Sequence, residues 1–385
     1  MPNKKQQDKP ISHRADLMKA FEQVIIPELE CNVVQLNCVR DMKWKDGVLT
    51  LHVVLPTFAL ASEKQVMAQL HKAALAVLPS GVQVEMNAYA QVEPAVGQSL
   101  VRPGYADVKN IILIGSGKGG VGKSTVTANV AAALAKLGCR VGLLDADVYG
   151  PSIPTLFGLS KDQHVSAMQG EDGKTSWMIP PQRHDIKLMS MGFLVDTPQA
   201  VVWRGPMIAS ACMQMFYNVA WGQLDYLFVD LPPGTGDIQL TIAQKVMVAA
   251  AVLVATPQQL ALADVTRAKA MLDRLHVPIL GLVENMSCFV CDQCDKRHEI
   301  FPTGGAKQAA QDLDVPFLGD IPLQKSVREG SDNGQLEVLQ QPLSASAQQL
   351  TQLARDIAVR LAKTAWKRNS RATQTTSKQT TANPN

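Results

Sequence analysis

Gly117-Lys118-Gly119-Gly120-Val121-Gly122-Lys123-Ser124 satisfies the spacing G-x-x-x-x-G-K-[ST]. The apolar run at 111–114 just before it predicts a buried strand, and residues 124–137 just after it predict a helix. Strand before and helix after is the setting a phosphate-binding loop requires, and a chance glycine-rich turn lacks it. The glycines let successive backbone N–H groups wrap phosphate oxygens, while Lys123 reaches the β- and γ-phosphates. The Ser124 hydroxyl takes a Mg²⁺ position, and the helix N-terminus adds the positive end of its dipole. Lys118, at the second position, is a lysine the motif itself does not need.

Outward from this loop, strands and helices alternate from residue 110 to about 363. Apolar runs at 111–114, 141–144, 227–229, 250–255 and 279–283 have the continuous apolar character of parallel strands covered on both faces. The fold class expected is α/β, a doubly wound, mostly parallel sheet of the P-loop NTPase kind, with a small α+β domain ahead of it. Ligands in such sheets bind beyond the carboxyl ends of the strands. Three carboxylates stand there. Asp145 and Asp147 close the second run, and Asp230 closes Tyr226-Leu227-Phe228-Val229-Asp230, a Walker B strand whose aspartate holds the Mg²⁺ sphere. The glycines of Leu231-Pro232-Pro233-Gly234-Thr235-Gly236-Asp237 allow that loop to re-fold when the γ-phosphate leaves. For Asp145 and Asp237, capping of a turn or helix and a direct catalytic role both fit. Asn285 is followed by Met286-Ser287-Cys288, so the aspartate of a guanine-reading Asn-Lys-x-Asp is missing. ATP is therefore the expected nucleotide, with Asn285 available to adenine and the Ile321-Pro322-Leu323 turn packing on the ring.

Ahead of the sheet, residues 11–91 follow an α-β-β-α-β pattern. A helix is expected around 17–24 and β-rich runs at 33–39 and 48–55, divided by the turn signal Trp44-Lys45-Asp46-Gly47. A second helix carries Leu60, Val66, Met67, Leu70, Ala74 and Leu78 at helical spacing, and a strand follows at 82–86. Pro94, Gly97, Pro103 and Gly104, without periodicity, mark residues 92–109 as a linker. The NTPase domain then runs 110–363, and 364–385 reads as a disordered basic tail. The 385 residues suffice for two or three domains of about 150 residues each. The net charge of +3 is an end effect: residues 363–385 hold +5 and 1–14 hold +3, leaving −5 on 15–362. A mildly acidic body argues against a broad nucleic-acid-binding face. No apolar run reaches a membrane span and the N-terminus has no apolar signal core, so a cytoplasmic protein is expected.

Seven cysteines, an odd number, do not make a disulfide framework in a reducing compartment. Cys31, Cys38, Cys139 and Cys212 sit among apolar neighbours and are expected in the core. Cys291-Asp292-Gln293-Cys294 is different, because it offers two thiolates where tetrahedral zinc or a [4Fe-4S] cluster takes four ligands. Two chains about a two-fold axis supply four. A zinc site using Cys288 and His298 is cramped, and Cys288 fits a buried thiol or a spare ligand during transfer.

Taken together, several stretches resemble the Mrp/ApbC iron-sulfur cluster carrier family. They are the phosphate loop with Lys118, residues 144–152, Trp203-Arg204-Gly205-Pro206-Met207, residues 230–237, and Glu284-Asn285-Met286-Ser287 leading to Cys291 and Cys294. The family stands within the MinD/ParA class of P-loop ATPases. The resemblance implies a homodimer that hydrolyses ATP with Mg²⁺, binds a [4Fe-4S] cluster across its dimer interface, and exchanges clusters with scaffold and apo client proteins. It implies no nucleic-acid or membrane partner. It also implies that Lys118 acts on the partner copy's nucleotide as an arginine finger would, and that Asp147 orients the attacking water. Residues 11–91 resemble the MIP18-type domain, except that Pro56-Thr57-Phe58-Ala59 stands where that domain usually carries a cysteine, which favours partner docking for it. The competing expectation is a MinD/ParA-like protein that dimerises on ATP to bind membrane or DNA, using the apolar stripe Leu350, Leu353, Ala354, Ile357, Ala358 and Leu361.

Overall fold

The structure, a computed structural model, describes residues 13–97, 103–160, 165–170, 173, 175–194, 205–291, 293–294, 296–300 and 304–381, of which 205–206, 259–260 and 373–381 are described as backbone alone. Two compact units are present. One comprises the chain up to Glu93 together with the residues from Ala358 on, and the other runs Pro94–Ile357.

The larger unit is built on a mostly parallel sheet. Its strands lie in the order Gln182–Arg183, Ile186–Ser190, Val141–Asp145, Leu224–Asp230, Val108–Gly115, Ala250–Ala255 and Ile279–Val290. Arg297–His298 and Phe317–Leu323 both pair with Ile279–Val290, the first antiparallel and the second parallel. The five apolar runs are the five central strands. Because both sheet faces are covered, the strands are buried throughout: every residue of Leu224–Asp230, its two aspartates included, and of Ala250–Ala255 is buried. Parallel register aligns Asp230 with Asp145 on one side and with Ile114 on the other. That register brings two carboxylates side by side at the end where the phosphate loop begins. The strand Ile186–Ser190, unexpected from the sequence, pairs parallel with Val141–Asp145 and sets Ser190 against Asp145. It is masked in the sequence by Lys187, whose ammonium is taken up by the Trp221 carbonyl at 2.6 Å.

In the smaller unit the helices Arg14–Phe21 and Glu63–Val77 accompany a three-stranded sheet of Val39–Lys45, Val48–Leu55 and Gln83–Ala90. The expected turn is a two-residue hairpin in which Asp46 and Gly47 take φ values of 50° and 81°, the positive pair that matches strand twist. The strand expected at 33–39 is corrected: pairing starts only at Val39. The Asn32 side chain accepts from the backbone N–H of Val34 and Gln35, at 3.1 and 2.8 Å, and holds that stretch in a turn ending at Asn37 with φ 51°.

The tail expected at 364–385 is corrected for its described part, 364–381, while 382–385 lie outside the described residues. A single helix runs Ala345–Thr381. Val359 and Ala362 are buried in one cluster with Leu17, Phe21 and Val33. Trp366 donates its indole N–H to the Gln35 carbonyl at 3.0 Å, and Lys363 pairs with Glu30 at 2.6 Å. Polar composition hid an ordering contact made by a handful of apolar residues. The span 92–109 is likewise more than a linker, since Val92 and Ala95 are buried and the Ala95 N–H binds Asn110 Oδ1 at 2.9 Å.

Candidate functional site

The helix Lys123–Lys136 begins inside the phosphate loop, so Lys123 and Ser124 occupy its first turn and share the anion-binding helix end. Gly120 and Gly122 hold φ values of 79° and 78°, the left-handed region that glycine enters without strain. They differ in surroundings. A β-carbon on Gly120 meets nothing, whereas one on Gly122 collides with the Asn285 amide nitrogen. Gly117 is pressed against the backbone of Asp264 in the same way. Lys118 is exposed at the surface of the loop.

Lys123 Nζ lies 2.7 Å from Asp230 Oδ1, with both groups buried. Ser124 Oγ donates to Asp230 Oδ2 at 2.6 Å, and Thr127 Oγ1 lies 2.9 Å from Oδ1. The Ser124 hydroxyl and the Asp230 carboxylate form the oxygen pair that a hard divalent cation prefers, so the residues fit Mg²⁺. The Lys123 ammonium here supplies the positive charge that a buried carboxylate needs.

Asp145 is fully buried and accepts from Asp147 N–H at 3.1 Å, Ile153 N–H at 3.2 Å and Ser190 Oγ at 3.1 Å. Burial first, and the neighbouring Asp230 charge second, push its carboxyl up to about 7. Its contacts hold the 146–153 loop, which is the capping alternative. Asp147 is half-exposed at the mouth, and burial raises its carboxyl while Lys123 opposes the rise. Gln239 is a residue sequence reading missed. Its amide nitrogen lies 2.9, 3.2 and 3.2 Å from the carbonyls of Pro232, Pro233 and Gly234, holding the Walker B loop by three adjacent acceptors. A glutamine on the first turn of a helix carries no sequence signal for this. Thr127 and Ser190 escaped notice for the same reason.

Asn285 donates its amide to the Val121 carbonyl at 2.8 Å, so that nitrogen is committed to the phosphate loop. Beside it, Gly122, Thr125, Asn285, Met286, Ile321 and Pro322 line part of a pocket of about 310 Å³. The turn expected at Ile321-Pro322-Leu323 is corrected: these residues end the strand Phe317–Leu323, and they line that pocket.

Past Asn285 the strand Ile279–Val290 runs on into a hairpin. Val290 pairs with Arg297, Phe289 pairs with His298, and Cys291 N–H donates to the Lys296 carbonyl at 3.1 Å. Cys291, half-buried, and Cys294, exposed, therefore stand on the connecting loop at its tip. Among the described residues no group of three or more His, Cys, Asp or Glu side chains gathers as a metal site. His298 is exposed and Cys288 is buried, as are Cys31, Cys38, Cys139 and Cys212. Trp203 and Arg204 lie outside the described residues. The apolar stripe Leu350 to Leu361 is buried, and no described helix is long and apolar enough to cross a membrane.

Residues 107–358 match the family described as NUBPL iron-transfer P-loop NTPase, and residues 14–86 match a family described as iron-sulfur cluster assembly protein. The chain is 46% identical over 334 residues to the iron-sulfur cluster carrier protein of Synechocystis sp., covering 86% of this chain and 93% of that one. It is 40% identical over 335 residues to the iron-sulfur cluster carrier protein of Escherichia coli K12, covering 87% and 89%. Among solved structures, a nucleotide-binding protein from Archaeoglobus fulgidus in complex with ADP is similar with TM-score 0.53 and 40% identity, over 62% of this chain and 91% of that chain.

Proposed function

This chain belongs to the iron-sulfur cluster carriers of the ParA/MinD class of P-loop NTPases, and from that premise we propose that it hydrolyses ATP, holds a [4Fe-4S] cluster between two copies of itself and hands it to apo-proteins. The observation that carries the reading is the hairpin with Cys291 and Cys294 on its tip, grown from the strand that passes beneath the phosphate loop. Two thiolates per chain, where a [4Fe-4S] cluster takes four ligands, support a site shared by two copies.

For the nucleotide, Lys123 exchanges Asp230 for the β- and γ-phosphates, and the loop N–H groups from Gly117 to Ser124 bind the remaining oxygens. Ser124 and Asp230 would hold a Mg²⁺, which would supply neutralisation of phosphate charge. Asp147, half-exposed and accepting from the Gly150 N–H at 3.3 Å, orients the attacking water. Lys118, exposed, reaches the partner copy's nucleotide and stabilises charge developing in transfer. Asn285 acts by bracing the loop at Val121, and the neighbouring pocket takes the adenine. Scaffold and apo client proteins are the expected partners, with the N-terminal domain as docking module. A cytoplasmic setting fits an odd cysteine count with five buried thiols. The membrane- or DNA-binding alternative loses its apolar stripe, which is buried.

Anaerobic reconstitution tests the proposal. Wild type is expected to hold four irons and four sulfides per two chains, and Cys291→Ala or Cys294→Ala to hold neither. Stoichiometric zinc without sulfide in the wild-type protein refutes it.

A further inference from the structure

Between the nucleotide pocket and the cysteine hairpin the sheet is irregular. Asn285 pairs with Ile321 and Phe289 with Leu323, so residues 286–288 bulge opposite the single residue Pro322. Proline has no N–H to offer the ladder, which accounts for the bulge forming there. Met286 takes φ 58°, a conformation a side chain of its size rarely adopts. Met286 also lines the 310 Å³ pocket, together with Ile321 and Pro322. Bulges beside sites are places where a strand can be re-aimed.

One side chain touches both sides of this irregularity. Asp320 Oδ2 accepts from Ser287 Oγ, inside the bulge, at 2.8 Å. The same oxygen stands 3.6 Å from a guanidinium nitrogen of Arg297, on the returning arm of the cysteine hairpin. Ser287 Oγ is also 3.9 Å from the buried Cys288 sulfur. Asp320 itself immediately precedes Ile321 in the pocket wall. Met286 and Ile321, which line the pocket, thus adjoin in sequence the two residues, Ser287 and Asp320, that form the bridge.

We propose that Asp320 is a positioning residue which, through Ser287 and Arg297, couples nucleotide occupancy to the hairpin bearing Cys291 and Cys294. This rests on the reading of those cysteines as the cluster ligands. On this proposal the bulge takes a second arrangement when nucleotide is bound, and both sites bias it. Coupling of this kind is reciprocal: a bound cluster changes nucleotide affinity by the same factor by which nucleotide changes cluster affinity.

The test measures the dissociation constant of a non-hydrolysable ATP analogue for cluster-free and reconstituted protein, alongside iron and sulfide content. Wild type is expected to differ between the two forms by about fivefold or more, the lower end of usual coupling factors. Asp320→Ala should bring the ratio to one while keeping cluster-free affinity within about twofold of wild type and cluster content intact. Asp320→Asn, which still accepts from Ser287 but loses the charge facing Arg297, should fall between and guards against a misfolded alanine variant. A ratio of one in cluster-loaded wild type, or a wild-type ratio retained in both variants, overturns the coupling and leaves the carrier reading standing. Wild type that takes up no iron and sulfide overturns both.

Discussion

Asp145 and Asp230 are neighbours across adjacent parallel strands, yet it is Asp230 that pairs directly with the Lys123 ammonium, at 2.7 Å. Asp145 accepts from two backbone N–H groups and the Ser190 hydroxyl, and the Lys123 charge adds to their pull. Burial and the Asp230 charge outweigh these and raise its carboxyl to about 7 from an ordinary 3.8. The folded state then binds more protons than the unfolded chain between those two values. Stability contributed at this residue is present at low pH and declines as pH rises from about 4 through about 7, with a limiting slope of about 1.4 kcal/mol per pH unit for one proton. Asp145→Asn removes the titration. It also gives up one acceptor, a loss that does not vary with pH. The urea-unfolding free energy of wild type minus that of Asp145→Asn should fall across this window and flatten above it. A difference independent of pH from 4 to 8 shows that Asp145 stays ionised throughout.

At the scale of the element, the phosphate loop offers a matched pair of glycines. Both Gly120 and Gly122 have positive φ, so alanine costs roughly 1–2 kcal/mol at either from backbone strain. Only Gly122 also faces Asn285. Gly122→Ala is therefore expected to weaken ATP binding at least about tenfold more than Gly120→Ala, on the scale of 1.4 kcal/mol per factor of ten. In an Asn285→Ala background the excess should vanish, which a double-mutant cycle by calorimetry reads directly. An excess that survives there excludes the Asn285 clash as its cause. The loop itself was legible in the sequence because its chemistry needs residue types at fixed spacing, and the five central strands because burial on both faces demands unbroken apolar runs. The strand Ile186–Ser190 was not, since Lys187 breaks the run and its partner is a distant carbonyl. Nor was the 33–37 turn, which depends on one Asn32 side chain outbidding β-branched neighbours for the backbone. Gln239 and Asp320 act through what the fold brings to them, and that proximity has no local signature.

For the molecule as a whole, the C-terminal helix is shared property. Its residues from Ala358 on belong with the N-terminal unit, where Val359 and Ala362 join the buried cluster and Ala365 is 1% exposed. The Lys363–Glu30 pair is at the surface, and such pairs contribute at most about 1 kcal/mol. The apolar residues matter more: burying one valine and two alanines is worth roughly 2–4 kcal/mol. A chain ending at Ile357 should consequently lose hydrogen-exchange protection in the strand Val48–Leu55, whereas one ending at Ala372 should keep it. The converse deletion follows from the same packing. Removing residues 1–93 uncovers Val359, Ala362, Ala365 and Trp366 along one helix, so that protein should bind a hydrophobic dye and self-associate. Removing 1–93 and 358–385 together takes both halves of the contact away and should leave a monodisperse Pro94–Ile357 unit that binds ATP with unchanged affinity. Light scattering and nucleotide titration of the two truncations decide it. Equal aggregation of both would mean that the exposed apolar face lies elsewhere, and lost nucleotide binding in the doubly truncated chain would mean that the larger unit does not hold its site alone.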